Sequence, residues 1–258
     1  ARIRGKRKKR ALLHFEGADY ETAVFVNGAY VGAHSGAYTR FSFDVTDYLH
    51  EGENILTVRC DDDNHPARVR GKQRWQGESF GCWYVQTTGI WKSVWFEYVG
   101  ETYLTALKIT PDLADYSVRF DAEVNAPDED TEICFEISFA GKRVQTAKLI
   151  AGDMSNSIRV ALASEKLTYQ HELWSVENPA LYDVKITVWK NGALVDEAGS
   201  YFGLREYKTA GDKILLNQRP FYARLLLDQG YWQESGLTPP SEEALARDIE
   251  LAKKMGFN

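Results

Sequence analysis

Asn27-Gly28 lies between two extended apolar runs, Val24-Phe25-Val26 and Tyr30-Val31-Gly32. Asn191-Gly192 likewise joins Val184 to Trp189 with Ala193 to Val195. A two-residue loop of this kind needs positive φ at both central positions, which Asn and Gly supply cheaply, and its twist matches that of paired antiparallel strands. Each dipeptide therefore commits its flanks to a tight hairpin, one early in the chain and one late.

The pattern between the hairpins is also strand-like. Phe41, Phe43 and Val45 alternate with Ser42 and Asp44, as a half-buried strand does, and Ile55 to Cys60 and Ile90 to Val99 follow. From Asp61 to Phe80 there is no periodicity, so this stretch reads as a long loop, a class that in compact domains is usually functional or disordered. A second set of strands starts near Thr102, with Val118-Phe120-Ala122-Val124 and Ile133-Phe135-Ile137-Phe139 alternating cleanly. About seven short strands in roughly a hundred residues predict an immunoglobulin-like sandwich, here without a Cys…Trp…Cys core.

Composition limits the function classes. A chain of 258 residues has room for about two domains, and 44% hydrophobic with 26% charged residues is the balance of a globular protein. Seven Trp and fourteen Tyr could stack on sugar rings, although β-sandwich cores account for most such rings. The formal charge of −6 becomes −13 once the seven basic residues Arg2, Arg4, Lys6, Arg7, Lys8, Lys9 and Arg10 are set aside. That run lies outside any periodic segment, and no basic groove with interleaved aromatics follows it, so no nucleic-acid partner is expected. Cys60, Cys82 and Cys134 form no CxxC and signal neither a zinc site nor a disulfide framework. Free thiols favour a cytoplasmic setting, with secretion left open if a leader has been removed. No apolar run is long enough to cross a membrane.

The character changes after Tyr207. Ile214-Leu215-Leu216, Asn217-Gln218-Arg219-Pro220 and Phe221 read as a short hairpin, which feeds the apolar run Leu225-Leu226-Leu227, expected to be a fully buried strand. Thr238-Pro239-Pro240-Ser241 then opens a helix with Ser241 as N-cap, Glu242 and Glu243 in the first turn, Lys253 and Lys254 in the last, and Gly256 as stop. Leu245, Ile249, Ala252 and Met255 share one face and are expected to be core. One buried strand and one amphipathic helix cannot cover each other, so this segment is read as an incomplete unit.

The segment from Phe41-Ser-Phe-Asp-Val-Thr-Asp-Tyr-Leu to Thr-Val-Arg59 resembles a signature stretch in the sugar-binding jelly roll of glycoside hydrolase family 2, which includes β-galactosidases, β-glucuronidases and β-mannosidases. Val24 to Gly28 with Gly32-Ala-His34 match the preceding hairpin, and Thr88-Gly89-Ile90-Trp91-Lys-Ser-Val94-Trp95 the closing strand. Leu173-Trp174-Ser175-Val176-Glu177-Asn178-Pro179-Ala-Leu-Tyr182 is similar to the family's Trp-Ser-Pro-Glu-x-Pro-x-Leu-Tyr. Phe202-Gly203-Leu204-Arg205 stands for Phe-Gly-[Phe/Ile/Met]-Arg, and Leu216-Asn217-Gln218-Arg219-Pro220 for the Leu-Asn-Gly-Lys-Pro at the barrel entrance. The matches follow the family's order along nearly the whole chain.

The resemblance implies a mainly β chain: a jelly-roll sandwich over 1–100, an immunoglobulin-like sandwich over 101–204, and over 205–258 the start of a catalytic (β/α)8 barrel. A complete barrel takes about 250 residues, so this one is read as truncated after its first strand and helix. It further implies a parent protein that hydrolyses β-glycosides with retention, through two Glu residues on later barrel strands. Neither segment is present, so no catalytic residue is named and the chain alone is expected to be inactive. Asp61-Asp62-Asp63 and Asp128-Glu129-Asp130 are read as solvated carboxylates. The alternative is a non-catalytic carbohydrate-binding or oligomerisation sandwich. A carbohydrate is the expected ligand, and a homo-oligomeric parent is left open because family members are often dimers or tetramers.

Residues just after a barrel strand's C-terminal end face the substrate. That position falls to Asp228 and Gln229, which can accept from sugar hydroxyls, and to Tyr231 and Trp232, which can stack on a ring. The run Arg224-Leu-Leu-Leu-Asp228-Gln229-Gly230 departs from the Arg-Gly-x-Asn-x-His of the better-known β-galactosidases, which leaves the sugar unnamed. In those enzymes the long first-domain loop supplies an Asp to the active site; Gly81 stands at that position here, so no metal site or cofactor is implied. Lys72, Gln73 and Trp75 are the loop residues expected to serve instead.

Overall fold

The computed structural model describes residues 2–5, 10–63, 65–162 and 171–258. Two compact units appear: Ala1–Val99 with Leu226–Phe257, and Gly100–Leu225 with Asn258.

The first unit contains β1 (Arg2–Gly5), β2 (Arg10–Phe15), β3 (Ala18–Asp19), β4 (Glu21–Val26), β5 (Ala29–Ser35), β6 (Phe41–Asp44), β7 (Gly52–Asp61), β8 (Gly89–Ile90) and β9 (Val94–Val99). They form an antiparallel sheet in the order β1-β7-β4-β5, a second in the order β6-β2-β9, and the short pair β3-β8. Alternation decides which face is covered: Ala11, Leu13 and Phe15 from β2 meet Val24 and Val26 from β4 and Leu56 from β7 in one apolar core. Asn27 and Gly28 take φ of 52° and 81°, the doubly left-handed turn that the dipeptide predicts. Arg2–Gly5, which shows no periodicity, adds an edge strand to β7. A ladder is made by backbone groups and needs no hydrophobic periodicity. Lys6 to Lys9 lie outside the described residues.

The second unit contains β10 (Leu104–Asp112), β11 (Ser117–Val124), β12 (Thr131–Phe139), β13 (Lys142–Ile150), β14 (Ser155–Ala161), β15 (Tyr182–Lys190) and β16 (Ala193–Phe202). A sheet ordered β10-β11-β14 faces one ordered β13-β12-β15-β16. Val118, Phe120 and Ala122 from the first interleave with Ile133, Phe135, Val184 and Ile186 from the second. Phe120 and Phe135 stack with centroids 4.6 Å apart, both fully buried. This is the seven-strand sandwich that the spacing predicts, and Asn191-Gly192 again forms the left-handed turn, with φ of 50° and 73°.

A small sheet follows, β17 (Tyr207–Ala210), β18 (Lys213–Leu216) and β19 (Arg219–Pro220), turned through Asn217 and Gln218 with φ of 51° and 65°. The one long helix described is α1 (Glu242–Lys254); the Ser241 hydroxyl accepts the Ala244 N–H at 3.1 Å, as the N-cap reading requires.

Two expectations fail in this region. Leu225, Leu226 and Leu227 form no strand and are 73%, 50% and 82% exposed. A parallel strand exists only when neighbours take up its backbone groups, and among the described residues none pairs with this run. Leu245, Ile249 and Met255, read as core, are 45%, 58% and 65% exposed for the same reason: among the described residues no apolar layer covers that face of α1.

Candidate functional site

The segment between β7 and β8 is held from within by polar side chains. Gln73 is fully enclosed, donating from Nε2 to Asp19 Oδ2 at 2.6 Å and accepting the Thr87 N–H at Oε1, also at 2.6 Å. Its Nε2 also lies 3.4 Å from the Tyr38 hydroxyl, which donates to the Arg70 carbonyl at 2.8 Å. Arg70 in turn forks onto Asp62 at 3.1 and 3.3 Å and donates to the Asp63 carbonyl. The Arg70 and Asp62 side chains are 5% and 3% exposed. Asp62 is therefore not the solvated carboxylate its run of three implies: a buried guanidinium supplies the partner that water would otherwise provide. Burial pushes the Asp19 carboxyl above its ordinary range, and the Gln73 hydrogen bond opposes that rise.

The same segment carries a group of aromatic side chains. Tyr84 N–H donates to the Lys72 carbonyl at 2.7 Å and Arg74 N–H to the Tyr84 carbonyl at 2.9 Å. Phe80 and Trp83 exchange backbone hydrogen bonds of 3.2 and 2.9 Å around a turn at Gly81, whose φ is 52°. Trp75 packs edge-to-face on Phe80 and Trp83, at 5.1 and 4.7 Å between centroids. The Lys72 ammonium lies 5.4 Å from the Trp83 ring centroid and 3.5 Å from Cys82 Sγ.

The segment after the leucine run meets this loop inside the same unit. Tyr231 and Tyr84 have ring centroids 4.9 Å apart. The Tyr231 hydroxyl and Gln229 Oε1 are enclosed with no hydrogen-bond partner among the described residues. Burial, followed by the neighbouring Tyr38, Tyr84 and Asp19, pushes the Tyr231 phenol up to about 12, so it remains a protonated donor across the range where proteins are folded. Asp228 is exposed, and its Oδ1 accepts the Gly230 N–H at 2.8 Å. Trp232 is half-buried, with reciprocal backbone bonds to Gly236 of 2.9 and 3.0 Å, and Thr238 Oγ1 donates to the Trp91 carbonyl at 2.9 Å.

Of the seven residues singled out from sequence, Lys72 and Trp75 converge on Trp83, and Tyr231 reaches the same loop through Tyr84. Gln73 differs from these three, since both of its polar atoms are taken up inside the protein, and the hydrogen bonds described for Asp228 and Trp232 are local ones to Gly230 and Gly236. Tyr84 and Trp83 were not foreseen, although two adjacent aromatics just after Gly81 were a usable signal. Asp19 and Tyr38 gave none, because their contacts with Gln73 span distant parts of the chain.

Two family descriptions match in tandem: "Glycosyl hydrolases family 2, sugar binding domain" over residues 4–96 and "Glycosyl hydrolases family 2" over residues 102–205. A putative beta-glucuronidase of Formosa agariphila is 27% identical over 256 residues, covering 95% of this chain and 29% of that protein. A beta-galactosidase of Thermoanaerobacter pseudethanolicus is 25% identical over 268 residues, covering 97% of this chain and 33% of its own length. The crystal structure of a Bacteroides uniformis beta-glucuronidase superposes with a TM-score of 0.78 at 25% identity, over 100% of this chain and 32% of the other. The chain thus spans about a third of the length of these relatives. With its paired β-sandwich units and both family matches in order, it belongs to the glycosyl hydrolases of family 2.

Proposed function

We propose that this chain is the N-terminal part of a retaining β-glycosidase, with Asp228, Gln229, Tyr231 and Trp232 forming part of its sugar-binding rim and Lys72 and Trp75 bordering it. The observation that carries this reading is the 4.9 Å contact of Tyr84 with Tyr231, which joins the two loops within one unit. Each rim residue brings a distinct capacity. One Asp228 oxygen is held by the Gly230 N–H, and the exposed carboxylate is free to accept a sugar hydroxyl. Among the described residues the enclosed Gln229 carbonyl and Tyr231 hydroxyl have no hydrogen-bond partner, an acceptor and a donor whose pairing is still owed. Trp232 offers a ring face for stacking. Gln73 positions the bordering loop rather than binding sugar.

In this reading residues 1–100 and 101–204 are the two sandwich domains, and 205–258 opens a (β/α)8 barrel whose later strands supply the acid/base and nucleophile Glu residues. Such a pair sits about 5–5.5 Å apart across the glycosidic bond when configuration is retained. The exposed leucine run and the apolar face of α1 are what a first barrel unit presents to its neighbours.

The test has two arms. The 258-residue chain should not hydrolyse nitrophenyl β-glycosides, whereas the protein carrying a full barrel should. In that longer protein Trp232→Ala and Tyr231→Phe should each lower kcat/KM at least tenfold without lowering Tm. Inhibitor-sensitive turnover by the 258-residue chain, or unchanged kcat/KM in both variants, would refute the proposal.

A further inference from the structure

The outward face of the four-stranded sheet in the second unit carries a groove of about 440 Å³ whose lining includes Ser138, Asp183, Lys185, Glu197, Gly199 and Tyr201. That volume lies within the range of small-molecule sites, about 300–1,000 Å³. Strand register arranges the face in rows. Ser138, Asp183 and Tyr201 lie side by side across β12, β15 and β16, and the next row is Glu136, Lys185 and Gly199. The third row ends in Thr187 and Glu197. Side chains of these rows point away from the core, because the intervening Val184 and Ile186 are buried in it.

Gly199 is the informative residue. Glycine inside a strand weakens it, and often marks a place where something approaches the backbone closely. No internal reason requires glycine here. The residue pairs in register with Lys185, its φ lies outside the left-handed region, and a Cβ added there would meet nothing within 4 Å. Its effect is to keep the floor between Tyr201 and Glu197 open. Lys185 leans along the sheet to Glu197 at 2.9 Å, on the side away from Tyr201, which leaves the middle of the groove clear. Tyr201, 66% exposed, stands as an aromatic wall at one end.

We propose that this groove binds a neutral pyranose unit of an oligosaccharide. The apolar face of a sugar ring stacks on the Tyr201 phenol. Its hydroxyls donate to the Asp183 carboxylate and accept from the Lys185 ammonium. Charge selects against acidic sugars: among the residues that line the groove, the carboxylates Asp183 and Glu197 outnumber the single cation, Lys185. All of these residues belong to the second unit, so the proposal does not depend on the rim assigned in the first.

The experiment is an NMR titration of the 258-residue chain with neutral β-linked tetrasaccharides of glucose, galactose, mannose and xylose, and with a tetragalacturonate. At least one neutral tetrasaccharide should shift amides of β12, β15 and β16, with the uronate binding at least tenfold more weakly. Tyr201→Ala and Gly199→Val should each weaken binding at least tenfold. Gly199→Val places a branched side chain in open space on a strand, so its Tm should equal or exceed that of the parent. The proposal fails if no neutral tetrasaccharide moves those amides, if the shifts survive both substitutions, or if the uronate binds equally well.

Discussion

The two units are both antiparallel β structures, yet their interiors work differently. The second unit is closed by apolar side chains from facing sheets, with Phe120, Phe135, Ile133 and Ile137 all at 0% exposure. The first has a similar but smaller apolar core, and beside it a buried polar hub of Asp19, Gln73, Arg70 and Asp62. Apolar contact is non-directional and closes a sandwich without fixing any loop. A hydrogen-bonded hub is directional, and it can hold a long irregular segment in one conformation. The polar interior therefore lies beside the candidate rim, and the apolar one closes the second sandwich.

The strongest way to test this contrast is to open the apolar core. Phe120→Ala should destabilise the second unit by about 3–5 kcal/mol, from lost transfer energy and the cavity left behind. Hydrogen exchange read by mass spectrometry should show faster exchange across β11, β12 and β15, with β4 and β7 unchanged. Equal acceleration in both units would mean that they do not differ in the way described.

Gln73→Leu is the matching change in the first unit. It leaves the Asp19 carboxylate and the Thr87 N–H enclosed without their partner, at a cost of about 2–3 kcal/mol. The loss should be local: exchange and proteolysis should increase between Asp62 and Thr88, and the ladders of β4 with β5 and β7 should hold. Protection of that loop in the variant would show that the hub is not what holds it.

Most of the fold is legible in the sequence because strands, turns and caps are local. Asn27-Gly28 and Asn191-Gly192 write their own dihedral angles, Phe41 to Val45 shows its alternation, and Ser241 caps α1 as read. The leucine run shows the limit of such reading. Leu225 to Leu227 declare a need for burial, but an apolar run carries no information on whether partner strands are in place, and here they are exposed. The hub shows a second limit. Gln73 in a polar loop looks like a residue free to meet a ligand, and only the fold brings Asp19 to it across 54 positions. Lys72, Trp75 and Tyr231 were identifiable by residue type, whereas their convergence on Trp83 and Tyr84 follows from the turn at Gly81.

The smallest effect separates the units by the sign of a titration. Asp19 has a folded pKa raised above its ordinary 3.8, mainly by burial. A group so shifted contributes stability that is complete below the unfolded value and is lost as pH rises through the folded one. Asp128 in the second unit is lowered from 3.8, first by its hydrogen bond from Lys190 and then by Thr131. Its contribution is present above the unfolded value and is lost as pH falls through the folded one. Asparagine at position 19 can still accept from Gln73 but carries no charge to be desolvated. The Tm of Asp19→Asn minus that of the parent should therefore decline as pH is lowered from 7 toward 4, because the parent relieves its penalty by taking up a proton. For Asp128→Asn the difference should be negative at pH 7 and shrink only below about pH 4, where the parent's carboxylate is itself neutralised. A flat difference for Asp19→Asn would mean that the buried carboxyl is not under electrostatic strain, and the contrast between the units would then rest on packing alone.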